Sequence, residues 1–373
     1  NSSILVILLI SFFTMEVKMN EQLPPNSTEI MRDKDADVNE KKHHNITDFS
    51  LFDFAVEEIP QTYLWKGEEK TAPNHRIIVR GDNGEWLGNV GRRYKKVTHK
   101  EMVTDFTNEL QKREINLSDI NIHDRIFENG SKATRTIVWN DIKANVGTDT
   151  KEDWVNMRLD IANSVNGDWS FQAFVGAYRE MCLNTLVFGG EKWYHEKSKH
   201  TTGIDTFASA EKVVETINLF DDRMEDLKKW RTTPVETKWV INFFKFTLAQ
   251  RKRKSYLLEK EIGKEISQRK LDYLMHLYEN EIKSLGTTLF AVYMAVTHWS
   301  SHLKDSFDKE VKQKDGSYKT ITYQTYKEGS ATHNVERDRR NAVSNALENP
   351  IWLVLIKPNK SKEDIKLLIN GGN

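Results

Sequence analysis

Three turn signals in the first half of the chain constrain its fold more than any other feature. Gly81–Gly84 (GDNG), Glu128–Lys132 (ENGSK) and Asn166–Trp169 (NGDW) each join glycine to asparagine. Each is flanked by β-branched and aromatic residues: HRIIVR and EWLGNVGRRYKKV, INIHDRIF and ATRTIVWN, WVNMRLDIANSV and SFQAFVGAYREMCL. Glycine and asparagine accept the positive φ of a tight turn, and side chains branched at Cβ pack well on a pleated surface, so each unit reads as a β-hairpin. Val155, Met157, Leu159 and Ile161 alternate with the period of a half-buried strand. The aromatic residues of the return strand, Phe171, Phe174 and Tyr178, read as core and cross-strand packing, not as a cofactor box. One helix interrupts the hairpins, with Thr98 as its cap and Met102, Phe106 and Leu110 at helical spacing.

After Thr206 the texture changes. FASAEKVVETINLFDDRMEDLKKW, PVETKWVINFFKFTLAQRKR, EISQRKLDYLMHLYENEIKSLG, TTLFAVYMAVTHWSSHL and NVERDRRNAVSNALENP read as helices, with KQKDGSYKTITYQTYKEG as a hairpin or loop between the last two. Strands first and helices second predict an α+β fold: antiparallel hairpins in the N-terminal half, packed with amphipathic helices from the C-terminal half. The divisions expected are 1–48, an apolar leader and an unstructured polar tail; 49–205, the hairpin part; and 206–373, the helical part, continuous with the hairpins in one domain.

The tail, PPNSTEIMRDKDADVNEKKHHNITD, has too few large apolar residues to offset the entropy of ordering. Its pair His43-His44 reads as solvated rather than metal-binding. Ile4–Phe13 has the length of a signal-peptide core and falls short of the about 20 apolar residues of a membrane span. It has neither a basic flank nor a cleavage pattern, so it reads as sequence upstream of a start at Met15 or Met19, with an export signal as the alternative.

Composition narrows function mainly by exclusion. Lys plus Arg and Asp plus Glu both number 55, so overall charge steers the molecule to neither nucleic acid nor membrane. The single cysteine, Cys182, excludes an internal disulfide and fits a reducing, cytoplasmic setting without a membrane partner. There is no phosphate-binding glycine loop, no Gly-x-Ser-x-Gly elbow and no His-Glu-x-x-His, so no cofactor and no metal is expected and no catalytic residue is identified. His195 and His200 are five apart, which is not one helical face. Cys182 reads as an inert thiol in an apolar strand.

Two basic stretches remain. WLGNVGRRYKKVTHK sets Arg92, Arg93, Lys95, Lys96 and Lys100 beside Trp86 and Tyr94 with no acid between, a pairing of cations and stacking rings that suits single-stranded nucleic acid. Between Lys228 and Lys254, nine cations face the single acid Glu236, ending in Arg251, Lys252, Arg253 and Lys254. Two readings of these charges stand open: a binding surface, or solvated helix faces balanced by acids such as Asp221, Asp222, Glu225 and Asp226.

The stretch HRIIVRGDNGEWLGNVGRRYKKVTHKEMVTDF resembles the opening of the phage and plasmid family catalogued as domain of unknown function 932, a hairpin followed by a helix. Asn163-Ser164 with Gly167, and then YREMCLNTLVFG, are similar to its Asn-Ser turn and its Arg-x-x-Cys-x-Asn-Thr-Leu element, matched here by Arg179, Cys182, Asn184, Thr185 and Leu186. SKHTTGID resembles its His-Thr-Gly box through His200, Thr201 and Gly203, and TTLFAVYMAVTHWSSH and RDRRNAVSNAL its closing helices. The resemblance runs from about Ser50 to Pro350 and departs at Val165-Asn166, where many members carry His-Asp. It implies a phage- or plasmid-encoded protein beside replication and recombination, and it carries over no catalytic residue.

The leading expectation is therefore a protein that binds nucleic acid, with single-stranded DNA as partner, in a binding or annealing role. Its candidate residues are Arg92, Arg93, Tyr94, Lys95 and Lys96, then Lys197, Lys199 and His200, then Arg251 to Lys254. The alternatives are a metal-dependent nuclease or other hydrolase assembled from Asp160, Asp168, His195 and His200, and an adaptor acting on other proteins. A homo-oligomer is compatible with all three.

Overall fold

Alternating apolar residues and tight turns build a meander of antiparallel strands, which the later helices cover. The computed structural model describes residues 38–148, 150–187, 195–198, 205–248, 265–313, 315–327 and 330–370. The N-terminal elements are β1 (Asn39–His43), β2 (Val56–Trp65), β3 (Glu68–Arg80), β4 (Trp86–Gly91), α1 (His99–Lys112), β5 (Ile120–Phe127), β6 (Lys132–Asn145), β7 (Trp154–Ser164), β8 (Phe171–Arg179), β9 (Asn184–Leu186) and β10 (His195–Ser198). Then follow α2 (Thr206–Glu215), α3 (Phe220–Thr232), α4 (Thr237–Thr247), α5 (Gln268–Leu285), α6 (Leu289–Ser301), the hairpin β11 (Ser306–Lys312) and β12 (Tyr318–Gln324), α7 (Thr332–Leu347), α8 (Pro350–Leu355) and α9 (Lys362–Asn370). The fold is α+β, as the order of strands and helices predicts.

The large sheet has the order β1-β5-β6-β7-β8-β10, with β9 on the far end of β8. A smaller sheet, β2-β3-β4, holds the first predicted hairpin. The other two predicted hairpins are β5-β6, with Ile122 opposite Ile137, and β7-β8, with Leu159 opposite Val175. Thr98 caps α1 in a capping box: its hydroxyl accepts from Glu101 N at 3.1 Å and the Glu101 carboxylate accepts from Thr98 N at 2.7 Å.

Odd positions of β7 and β8 face inward: Met157, Leu159, Ile161, Phe171, Ala173 and Val175 are buried with Met102, Phe106 and Leu110 of α1 in one core. That core continues into the helical part, where α6 is buried on every side from Leu289 to Val296. A helix apolar all round belongs in an interior. Among the described residues no helix is long and apolar enough to cross a membrane.

Order begins earlier than the polar composition of residues 24–48 suggests. Asn39–His43 pairs with β5, His43 Nε2 lies 2.9 Å from the Asp124 carboxylate, and Ile46 is buried in the core. The physical reason is a partner far along the chain: Arg135 holds Asp124 through two nitrogens at 2.8 and 2.7 Å and donates to the carbonyls of Ile46 and Asp48. Phe49 and Phe52 lie beside its guanidinium. A polar segment with few apolar side chains of its own is thus ordered by a buried ion pair. Residues 1–37, with the Ile4–Phe13 run, lie outside the described residues.

Candidate functional site

Period two gives the large sheet a second, outer face. On it stand His123 and Arg125 of β5, Thr134 and Thr136 of β6, Arg158 and Asp160 of β7, and Phe174 and Tyr178 of β8, as the strand registers require. Of the three aromatic residues read as packing, only Phe171 therefore enters the core. Helix α7 lies over one end of this face and leaves the other end open.

The two layers are joined by charge. Arg158 donates to both carboxylate oxygens of Asp160 at 2.6 and 2.7 Å, and Thr136 donates to the same group at 2.7 Å. Arg340 of α7 reaches Asp160 at 3.4 Å and also pairs with Glu336, which lies 3.6 Å from Arg125. Burial works to raise the Asp160 carboxyl, but Arg158 and Arg340 outweigh it and hold the group below the ordinary carboxylate range. Glu336 follows the same pattern, with burial opposed by Arg340 and Arg125. Burial lowers the His123 imidazole and raises the Tyr178 phenol.

Beyond the helix the face opens into a cleft of about 520 Å3 lined by Lys42, His44, His123, Arg125, Arg158, Tyr178 and Glu336 among others. This is the volume range of small-ligand sites. Of its charged lining Lys42, Arg125 and Arg158 are positive and Glu336 negative, and Glu40 is bonded to His123, a surplus of one positive charge before the histidines are counted.

The residues singled out in the sequence are distributed elsewhere. Strand β4 ends at Gly91, and a turn at Arg92–Arg93, a single bridge residue at Tyr94 and irregular chain at Lys95–Lys96 follow it in place of a continuous strand. Arg92, Arg93 and Lys95 are exposed, while Tyr94 is turned inward, its hydroxyl 3.3 Å from Ser164 O and its phenol raised by burial. Lys96 donates to Val56 O at 2.5 Å. In the second basic stretch Lys228, Lys229, Arg231, Lys238 and Lys245 pair with Glu225, Asp226, Asp153, Glu236 and Glu265 respectively. Lys197 belongs to β10, whereas Lys199, His200, Thr201, Gly203 and Arg251, Lys252, Arg253 and Lys254 lie outside the described residues.

The residues of the family motifs hold turns together. Asn163 donates to Val97 O at 3.0 Å, Ser164 Oγ accepts from Trp169 N at 3.0 Å, and Gly167, at φ +79°, lies where a Cβ would come 3.3 Å from the Tyr94 ring. Arg179 grips the Asp153 carboxylate at 2.8 and 2.6 Å, a group that also takes Arg231 at 2.8 Å. Cys182 sits in the turn between β8 and β9 rather than in a strand, its thiol raised by burial and 3.4 Å from Arg179 Nη1. Asn184 meets His302 Nε2 at 3.0 Å, Thr185 N donates to Ser301 Oγ at 2.9 Å, and Leu186 is fully buried. The Thr185 hydroxyl accepts from Arg158 at 3.0 Å, so this element also braces the cleft.

Of the proposed hydrolase set, Asp160 is committed to arginines, and Asp168 lies beyond the end of β7, paired with Lys132 at 3.2 Å. Among the described residues no group of three or more His, Cys, Asp or Glu is arranged to hold a metal ion. The cleft cations escaped notice in the sequence because charges at alternate positions of β5 and β7 are also the mark of a solvent-facing strand. The one available signal was their pairing, His123 with Arg125 and Arg158 with Asp160, on strands otherwise rich in apolar residues. The family model described as Domain of unknown function (DUF932) matches residues 86–343, well over half of the chain. No curated protein and no solved structure matches it.

Proposed function

Because this chain belongs to the DUF932 family, whose description names no activity, we propose its function from the site itself: it binds single-stranded nucleic acid along the outer face of the large sheet. The observation that carries this reading is the open cleft in which Lys42, His123, Arg125 and Arg158 surround a floor of β-strands beside the Tyr178 ring. Cations in a groove bind a phosphate backbone without regard to sequence, and an aromatic ring beside them gives a base a surface to stack on. A single strand fits a sheet face more closely than a duplex does, because its bases are free to lie flat on it.

The test is fluorescence anisotropy of the full chain with labelled single-stranded and double-stranded oligonucleotides over a salt series. Micromolar or tighter binding of the single strand, weakening steeply with salt, is the expected result. Absence of binding at low salt would overturn the reading.

A further inference from the structure

Under α7, next to the cleft, lies a second and narrower pocket with an aromatic floor. Trp169, Phe127 and Phe174 line it, and it shares Arg125 and Glu336 with the open cleft. His333 stacks on Phe127 with ring centroids 4.3 Å apart, and its Nε2 lies 3.3 Å from Glu128 Oε1. In the neutral tautomer that donates Nε2–H to this carboxylate, Nδ1 is an acceptor. That atom has no partner among the described residues, although the side chain is only 2 % exposed. Two residues that line this pocket carry a further buried polar atom with no partner among the described residues, Thr134 Oγ1 and Arg125 Nε.

Buried polar atoms without partners are costly, and three of them on residues that line one pocket point to an occupant. Between them they offer an acceptor, a hydroxyl and an N–H donor, above a floor of aromatic rings. With Arg337 in place the pocket holds about 50 Å3, room for a few waters. The Arg337 guanidinium lies over the Trp169 ring at 5.3 Å, as the Lys132 ammonium does at 5.7 Å, and its side chain, 23 % exposed, pairs with Asp338. A cation over an indole ring occupies the position that a stacked base would take.

We propose that this pocket receives one base of the bound strand, which displaces Arg337 from Trp169 and hydrogen-bonds to His333 Nδ1, Thr134 and Arg125, while the phosphates remain in the adjoining cleft. The inference rests on the single-strand reading above. Arg125 belongs to both cavities, so the distance from phosphate to base is bridged by one side chain.

The experiment compares two labelled strands of equal length on the full chain, oligo-dT and a strand of abasic sites that keeps every phosphate. Wild type binds oligo-dT about tenfold more tightly than the abasic strand, the worth of a stacked base. His333→Gln reduces that preference without changing affinity for the abasic strand, and Arg337→Ser, which uncovers the Trp169 ring, widens it. Thymidine monophosphate competes only at millimolar concentration; competition at micromolar concentration would make this a free-nucleotide site and overturn the strand assignment. Equal affinity of wild type for both strands would overturn the base pocket and leave phosphate binding standing. A preference that both variants leave unchanged would also overturn it, moving the base to another ring such as Tyr178. Failure of both strands to bind would remove the single-strand reading and this inference with it.

Discussion

The Arg340 guanidinium on α7 stands 3.4 Å from the Asp160 carboxylate on β7. Through that contact a helix from the C-terminal part is fastened to the outer face of a sheet built from the N-terminal part. Asp160 also takes two nitrogens of Arg158, so one buried acid serves two cations. Breaking such a cluster is expensive because the charges left behind stay desolvated.

Asp160→Asn is expected to lower stability by about 3 kcal/mol, the order of cost for removing one partner of a buried pair. The same change relieves Arg158 and Arg340 of their acid and strengthens binding of an oligonucleotide. Chemical denaturation and anisotropy read the two effects separately. An unchanged denaturation midpoint would show that Asp160 does not fasten α7 to the sheet.

Arg158→Ala should weaken single-strand binding evenly across sequences and reduce the salt slope by about one. Arg92→Ala is the control, because Arg92 lies in the exposed turn after β4. A larger loss at Arg92 than at Arg158 would transfer the interface from the cleft to the turn.

His123 carries the pH dependence. Burial lowers its pKa below the ordinary 6.5, with Glu40 at 2.9 Å opposing and Arg125 and Lys42 adding to the effect, so the ring is neutral at pH 7. As the pH falls below 6.5 it gains a charge in the cleft, and strand binding tightens. The stability contribution has the opposite sign: the unfolded chain takes up the proton first, so stability declines over the same range. His123→Gln should flatten the binding profile between about pH 5 and 7. A profile unchanged in that variant would exclude His123 from the interface.

Lys270 offers a separate test of the helical part. Its ammonium lies 4.0 Å over the Trp299 ring and donates to Leu248 O at 2.9 Å, and burial, reinforced by Arg339, lowers its pKa from 10.5 to about 8. Folding therefore works against the charged form, and stability rises as the pH goes from about 8 to 10.5. Lys270→Met should gain about 1 kcal/mol at pH 7, less than the shift alone implies because a hydrogen bond and a ring contact are lost with it. A lower melting temperature in the variant would mean that those contacts outweigh desolvation.

The hairpins, the cap at Thr98 and the order of strands before helices were legible in the sequence because they rest on local interactions. Turn chemistry acts over four residues, and periodicity acts over one element. Asn166-Gly167 and the alternation from Val155 to Ile161 are sufficient to write β7 and its turn. The strand at Asn39–His43 was not legible, since it depends on Asp124 and on Arg135 about ninety residues later.

The candidate site belongs to the second kind throughout. Arg125, Arg158 and His333 each look ordinary where they stand in the chain, and a charge on an alternate strand position says only that it avoids the core. Their meeting requires the sheet registers to align three strands and α7 to cross the outer face. The sequence alone determined an α+β chain of antiparallel hairpins and amphipathic helices, because turns and periods are written in neighbouring residues. Only the tertiary structure decided which charges converge and which are neutralised, because electrostatic interaction depends on distance and burial in space, not on separation along the chain.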